Sequence, residues 1–468
     1  MFKKYQHPLR LLIIGCFLLV FAFSSCKKYV DAGSPANQLT EDKVFVDSAT
    51  TLSSVLSLYT YYTTANIINL NQYGSMSADD GYYFNNSGYD LFRTNTLAAG
   101  NYTSAIYNAL YQTINLANYN LEGLTATTSL TTNFKTQLLG ECEFWRAYCY
   151  FNLLNYFGAV PLVINTNALT NAKLPRTDTA KVYDQIVADL LDAKIRLTAT
   201  YGSYTITEKA RINKYVVSAF LARVYLYRGN WTAAEAEATS VIGSGLFNLE
   251  TNFANVFLKT SNETIWQDAA PYYNGNTGVT VIGVTQMGVN WIPSGTVPLF
   301  ILYDTLASSF ETGDKRQTNW TQPITYNSKT YYYPYKYKNR NTSVTGNEYN
   351  VMFRLAEQYL IRSEARARQG NISGAQDDIN AIRTRAGLAN TPATTPADLL
   401  TVLEHERWVE LFTEMSDRWF NLKRTGRTDA VFSAETEKKS TWKSYQALYP
   451  IPQPEIIANP NMTQNPQY

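Results

Sequence analysis

Leu221-Ala-Arg-Val-Tyr-Leu-Tyr-Arg-Gly-Asn-Trp-Thr-Ala-Ala-Glu235 has a counterpart 141 residues further on, Ser363-Glu-Ala-Arg-Ala-Arg-Gln-Gly-Asn-Ile-Ser-Gly-Ala-Gln376. In each, a helical run ends at Gly-Asn, a second run begins at once, and an alanine sits five residues past the glycine, Ala234 and Ala375. This is the pattern of a tetratricopeptide-like hairpin, in which small residues let two helices approach closely. A tandem array would repeat at about 34 residues. The wide spacing instead predicts a helical scaffold interrupted by insertions.

Working outward, the helical signal continues. Ile106, Leu110, Ile114, Ala117 and Leu121 recur three and four apart within 105–124, as an amphipathic helix requires. Residues 134–157 form a long, strongly apolar helical stretch closed by Gly158, with Pro161 just beyond, and 182–197 predicts another amphipathic helix. The predicted class is mainly α: a tetratricopeptide-like helix-pair scaffold with loop-rich, partly β insertions. The larger insertion covers about 261–350, is rich in Gly, Asn, Thr and Tyr, and is broken by Pro293, Pro298, Pro323 and Pro334. A shorter polar-aromatic one covers about 71–100. Within the larger, Tyr331, Tyr333, Tyr335 and Tyr337 would share one strand face, and this ladder reads as structural because it leads into the scaffold helix at Arg354.

Composition adds a bias toward rings. The 468 residues include 36 Tyr, 21 Phe and 8 Trp among many Asn, Thr and Ser, while 45% hydrophobic and 17% charged content is that of a globular chain. Flat apolar rings beside hydrogen-bonding groups suit sugars, although tyrosine also fills cores. At the N-terminus, Lys3, Lys4 and Arg10 precede an apolar run from Leu11 to Phe23, too short for a transmembrane helix of roughly 20 residues. The run reads as an export signal. Phe23-Ser24-Ser25-Cys26 resembles a lipobox, with Phe23 in place of the usual aliphatic residue. Residues 1–25 are therefore expected to be a lipoprotein signal peptide, Cys26 the acylated first residue, 26–40 a tether, and 41–468 a single domain. Several acyl chains, at about 0.8 kcal/mol per buried CH2, would hold such a protein on a membrane.

Loss of 1–25 removes three basic residues and no acidic ones, leaving 37 basic against 38 acidic. No dominant basic field remains for nucleic acid. Cys142 and Cys149 lie seven apart on one predicted helix, about 10 Å along its axis and beyond the roughly 7 Å reach of a disulfide. They are expected to be buried thiols.

Several segments in order resemble the SusD-like (RagB/SusD) family. They begin with Tyr111-x-x-Ile114-x-x-x-Asn118-x-x-Leu121, Glu143-Phe-Trp-Arg-Ala-Tyr148, and Phe157-Gly-Ala-Val-Pro-Leu162. Arg176 with Val182-Tyr183-x-x-Ile186 and Asp189-Leu190 follows, then Arg354-Leu-Ala-Glu357-x-x-Leu360-Ile-Arg-Ser-Glu364-Ala365. Glu406-Arg407-x-x-Glu410-Leu411, Arg418 to Arg424 with Gly426, and Pro450-Ile-Pro-x-Pro-Glu455 complete the series. Two local departures stand out. Met415-Ser416-Asp417 occupies a turn where the family has Gly and one further residue, and Gln467 replaces a Gly. On a helix Glu406 and Glu410 lie one turn apart, and Arg418 and Arg424 are the expected partners of those carboxylates in a buried ion network.

The resemblance implies an outer-membrane lipoprotein that binds a glycan without chemistry. It also implies delivery of that glycan to a SusC-like TonB-dependent transporter, with the protein acting as a lid and facing the cell surface. The alternative is a helical scaffold of the transporter whose cargo is a peptide or other non-glycan nutrient. The site is expected on the insertions, where binding residues gather. Asp80 leads the candidates, within Ser77-Ala-Asp-Asp-Gly-Tyr-Tyr-Phe84, together with Asp79, Tyr82, Tyr83 and Arg93. The competing reading is a turn whose aspartates cap backbone N–H groups. Trp291 and Trp320 are the expected sugar platforms, with Tyr272 and Tyr273 as alternates, while Trp145, Trp231, Trp408 and Trp419 are expected in the core.

Enzyme chemistry is not expected. His405 is the one histidine left after the signal, too few for a His-based metal site or a triad. No Gly-x-x-x-x-Gly-Lys-Ser/Thr loop occurs, and no catalytic residue, metal or cofactor is assigned. A pair of carboxylates could in principle serve a glycosidase, and it is the resemblance that argues against one.

Overall fold

The computed structural model describes residues 41–201, 209–269, 272–274, 279–281, 290–339 and 347–468. The signal, Cys26 and the tether lie outside them. The mainly helical class is borne out. The long helices are α1 (Ser48–Ser77), α2 (Asn101–Ala126), α3 (Thr132–Phe157), α4 (Thr179–Arg196), α5 (Lys214–Tyr227), α6 (Trp231–Ile242), α7 (Leu355–Arg368), α8 (Ile372–Ala386), α9 (Pro396–Leu411) and α10 (Asp417–Arg424). Among the described residues no helix is long and apolar enough to cross a membrane.

The two Gly-Asn hairpins form as their sequences demand. Gly229 and Gly370 take the left-handed backbone, φ 71° and 80°, which glycine adopts at no steric cost and which ends a helix. The following asparagines cap the next helix: the Asn230 side chain accepts from Ala233 N and that of Asn371 from Gly374 N. Such a cap contributes about 1 kcal/mol. The hairpins α5–α6 and α7–α8, so distant in sequence, are neighbours in space because α6 packs on α7. Ala222, Ala234, Ala238, Ile361 and Ala365 share one small core there. The intervening chain leaves the stack and returns to it.

Helix α3 is buried on nearly every face, which explains its lack of amphipathicity, and it packs between α2 and α4. Arg146 is its polar tie. The guanidinium reaches Asp189 at 2.7 Å on α4 and Asn118 at 2.9 Å on α2, joining three of the recognisable segments. Cys142 and Cys149 are free and buried, as expected, and burial raises both thiols above their ordinary range.

The carboxylates of α9 are buried and ion-paired, but their partners differ from expectation. Glu406 meets Arg316 at 2.5 Å and Arg383 at 3.0 Å, while Glu410 meets Arg354 at 2.5 Å, Arg316 at 3.1 Å and Arg385. Arg418 and Arg424 turn instead to Asp79 and Glu364. Spacing along α9 placed the acids on one face, but the guanidiniums arrive from segments far away in the chain.

The insertions supply short strands: β1 (Gly81–Tyr83), β2 (Thr264–Asp268), β3 (Tyr272–Asn274), β4 (Val279–Val281), β5 (Phe300–Leu302), β6 (Thr321–Tyr326), β7 (Lys329–Pro334) and β8 (Asn350–Arg354). All pair antiparallel, β1 with β5, β2 with β8, β3 with β4 and β6 with β7. The β1–β5 pair matters most, because it joins the 71–100 insertion to the 261–350 insertion.

Candidate functional site

Asp79 and Asp80 are where α1 ends, and both point inward. Asp79 is 2% exposed and holds Arg418 through both oxygens, at 2.7 and 2.8 Å. Asp80 is 1% exposed and accepts from Trp408 Nε1 and from Thr413 N, each at 3.0 Å. Burial pushes its carboxyl up to about 7, helped by the neighbouring Asp79. The expectation that these acids hold a ligand is therefore corrected. They pin the C-terminal helices to α1, and the capping alternative comes closer, since one partner of Asp80 is a backbone N–H.

The turn that Asp80 braces is the one where this chain departs from the resemblance. Thr413, Met415 and Ser416 all have positive φ, at 57°, 45° and 60°, a conformation that costs non-glycine residues roughly 1–2 kcal/mol each. Ser416 is locked by Leu70 O at 2.7 Å and the Tyr156 hydroxyl at 2.6 Å. It comes so close to Gly74 that a Cβ there would lie 2.0 Å from its Oγ.

The tryptophans expected as platforms are core residues. Trp320 has no exposed surface; Phe253 and Phe257 meet it edge-on at 5.0 and 5.6 Å, and its indole N–H donates to Phe253 O at 3.3 Å. Trp291 is buried between Phe300 and Tyr337. Neither ring has a face to offer. Conversely, Trp231 and Trp408, expected in the core with Trp145 and Trp419, are only partly buried. Tyr272 and Tyr273 lie on β3, opposite Val281 and Thr280, and their side chains lie outside what the structure describes.

Part of what remains of the predicted set does come together. Tyr82, Tyr83 and Arg93 are all partly exposed; Tyr82 and Arg93 meet, while Tyr83, next along β1, faces the other side of the strand. Arg93 stands 5.5 Å over the Tyr82 ring, and Tyr83 stacks on Tyr89 at 4.8 Å. The next residue, Phe84, meets Tyr326 at 5.5 Å and Tyr331 at 5.2 Å, both edge-on. These last two come from the two strands of the β6–β7 hairpin, both near its turn. Its turn, Asn327-Ser328, has positive φ at both positions, the geometry that matches strand twist in two-residue hairpins. Phe84, Tyr326 and Tyr331 are partly exposed, with Phe84 packed on both tyrosines, and they are absent from the hydrophobic core.

Charged groups ring this surface. Arg93 pairs with Asp90 at 2.9 Å and with Glu437, and Lys329 pairs with Asp304 at 2.8 Å while standing 4.8 Å over Tyr331. Burial, Glu437 and Asp304 together hold the Tyr82 phenol above its ordinary range. Sequence reasoning set Tyr331 aside with its ladder as structural. That holds for Tyr337, buried with its hydroxyl accepting from Val351 N at 2.9 Å, and not for Tyr331. Strand alternation was the available signal, but it could not tell which end of the ladder meets solvent.

Among the described residues one group of acids and histidine is close enough for a metal, Glu311, His405 and Glu406. Glu311 and Glu406 are already held by Arg383, with Arg316 also on Glu406, and His405 Nε2 lies 2.9 Å from Ser309 O. The donors are spent on guanidiniums and backbone.

Two family descriptions match, the SusD family over residues 176–468 and a model described as starch-binding associating with outer membrane over 28–226. The chain belongs to the SusD family. Among relatives, the SusD-like protein P25 of Formosa agariphila is 22% identical over 96% of this chain and 97% of its own length. The starch-binding protein SusD of Bacteroides thetaiotaomicron is 36% identical over 25% of this chain and 21% of its own. Among solved structures, a laminarin binding SusD-like protein has a TM-score of 0.76 at 23% identity, covering 90% of this chain and 99% of its own. Surface glycan-binding protein A from Bacteroides uniformis has a TM-score of 0.72 at 20% identity, covering 90% and 99%. At these identities the structural likeness establishes the SusD fold.

Proposed function

We propose that this SusD-family protein binds a glycan on the aromatic surface where its two insertions meet, without chemistry, and passes it to a SusC-like TonB-dependent transporter in the outer membrane. The observation that carries the reading is the Phe84–Tyr326–Tyr331 cluster. Three partly exposed rings, built from both insertions, lie outside the core, with Phe84 packed on both tyrosines. Tyr82, Arg93, Asp304 and Lys329 surround them with hydrogen-bonding groups. Sugar rings have apolar C–H faces and hydroxyl edges, and this mixture serves both at low entropic cost, because tyrosine has few rotatable bonds.

Binding without hydrolysis is supported by what the similar proteins are described as, namely starch-binding, laminarin binding and surface glycan-binding. Membrane attachment through an acylated Cys26 belongs to the same proposal, with the family's outer-membrane description in support.

The test uses protein starting after Cys26, screened against a panel of polysaccharides by affinity electrophoresis and calorimetry, with product analysis for cleavage. A polysaccharide should be retained and returned uncut, and Tyr331→Ala and Tyr82→Ala should weaken retention, Tyr331→Ala with the thermal midpoint in place. Retention unchanged in both variants would move the site elsewhere. Binding of peptides alone would replace the glycan by the alternative cargo.

A further inference from the structure

A second concave site lies away from the aromatic surface, on the helical scaffold. α7, α9 and α10 enclose an open cleft of about 530 Å3, lined by Leu400, Thr401, His405, Trp408, Asn421 and Thr425 together with seven charged residues. The size is that of small-ligand sites, roughly 300–1,000 Å3.

The charged residues are unevenly signed. Arg368, Arg407, Arg418, Arg424 and Arg427 line the cleft against Glu364 and Glu404. Three of these guanidiniums form the floor and are neutralised from behind: Arg407 by Asp417 and Glu357, Arg418 by Asp79, Arg424 by Glu364. The floor is nonetheless short of acceptors, since Arg407 Nη1 and Arg424 Nε are buried without a hydrogen-bond partner. Buried donors on a cation are rarely left unpaired, and their desolvation is costly.

The other two arginines are at the mouth. Arg427 is half exposed and pairs with Glu404 at 3.0 Å, while Arg368 reaches the buried Glu364 at 3.5 Å and stands 5.2 Å over the Trp231 ring. The exposed Arg427 pair contributes little, so that guanidinium can turn to an incoming anion at small cost, and Arg368, 34% exposed, lines the same cleft. Arginine's planar fork suits a carboxylate in particular. Beside them is Trp408, partly exposed, with the Arg418 guanidinium 4.1 Å over its ring. The Asp80 carboxylate fixes the indole through its N–H. A rigid ring, amide and hydroxyl side chains, and arginines at the mouth therefore line one space.

We propose that this cleft is a second binding site, for a sugar ring that carries a carboxylate. The carboxylate engages Arg427 and Arg368 at the mouth and draws on the acceptor-poor floor, while Trp408 with Thr401 and Thr425 meets the ring and its hydroxyls. The site shares no residue with the aromatic surface, so the two assignments stand or fall separately.

Calorimetry on protein starting after Cys26 tests it, with a galacturonate trimer, a neutral galactose trimer and sodium sulfate as probes. The galacturonate trimer should bind in low salt, and the double variant Arg368→Gln with Arg427→Gln should weaken it about tenfold or more. Binding should fall as salt rises, because the mouth arginines are exposed. Tyr331→Ala should leave it unchanged. Thr401→Tyr, which narrows the cleft from an exposed position without touching any charge, should also weaken it, and thermal midpoints confirm that each variant is folded. The proposal is overturned if the acidic trimer fails to bind, if the double variant binds it as well as the wild type, or if the neutral trimer or sulfate alone competes equally.

Discussion

Trp320 and Tyr331 belong to the same insertion, eleven residues apart in sequence, and meet opposite fates. Trp320 ends a short helix, Lys315–Trp320, that packs against Phe253 and Phe257, and its ring is closed off on all sides. Tyr331 sits on β7 near the hairpin turn, where the strand has left the scaffold, and its ring leans on Phe84 from the other insertion. One ring fastens the insertion down and the other is displayed by it. Ring type alone does not separate platform from anchor; the distance of the backbone from the core does.

The largest effects should come from breaking the anchored side. Trp320→Ala removes a fully buried indole and should cost about 3–5 kcal/mol in denaturant unfolding. Asp79→Ala belongs in the same range, about 3–5 kcal/mol, because it leaves the Arg418 charge buried without its partner. A small loss in either variant would mean that the site can relax and would blur the contrast.

On the displayed side the readout moves from stability to affinity. Tyr331→Ala should change stability by less than about 0.5 kcal/mol, yet weaken glycan binding by about 1–2 kcal/mol, roughly tenfold. Tyr331→Phe, keeping the ring, should retain most of the binding.

A pH profile sharpens the reading of Asp80 as a structural group. Burial places its carboxyl at about 7 against an ordinary 3.8. Between those values the native state holds a proton that the unfolded chain has released. Its contribution is complete below about pH 4 and is lost as pH rises to 7. Asp80→Asn should make this slope shallower when denaturant midpoints are compared at pH 5 and 6.5, while Glu143, raised to about 9 by burial, keeps a slope of the same sign in both proteins. Lys423 and Lys438, lowered to about 7 by burial, act in the opposite sense as the pH passes 7, and the difference between wild type and variant cancels them.

The smallest change concerns the hairpin that carries Tyr331. Ser328 has φ 63°, so Ser328→Gly removes about 1–2 kcal/mol of left-handed strain. The looser unfolded chain offsets about 0.5–1 kcal/mol of this. A net gain near 0.5 kcal/mol is expected, read as a slightly higher thermal midpoint with glycan affinity unchanged.

The scaffold was legible because its signals are local. Helical periodicity located α2 and α4, a long apolar run closed by Gly158 located α3, and Gly-Asn punctuation located both hairpins, since helix ends and caps are settled by a few neighbouring residues. The candidate surface was legible in part. Tyr82 and Arg93 stood out because they crowd into one polar-aromatic insertion, while Tyr326 and Tyr331 were passed over. Asp80 misled because an Asp-Asp-Gly run reads alike whether it faces water or Trp408, and that partner lies 328 residues away.

By itself, then, the amino-acid order determined the helices, their breaks, the two hairpins and the places where loops leave the frame, all of them matters of short-range backbone and side-chain chemistry. Tertiary structure decided which hairpins touch, which guanidinium meets which acid, and which rings keep a face in water. Those outcomes depend on burial, and burial is set by what the rest of the chain brings alongside.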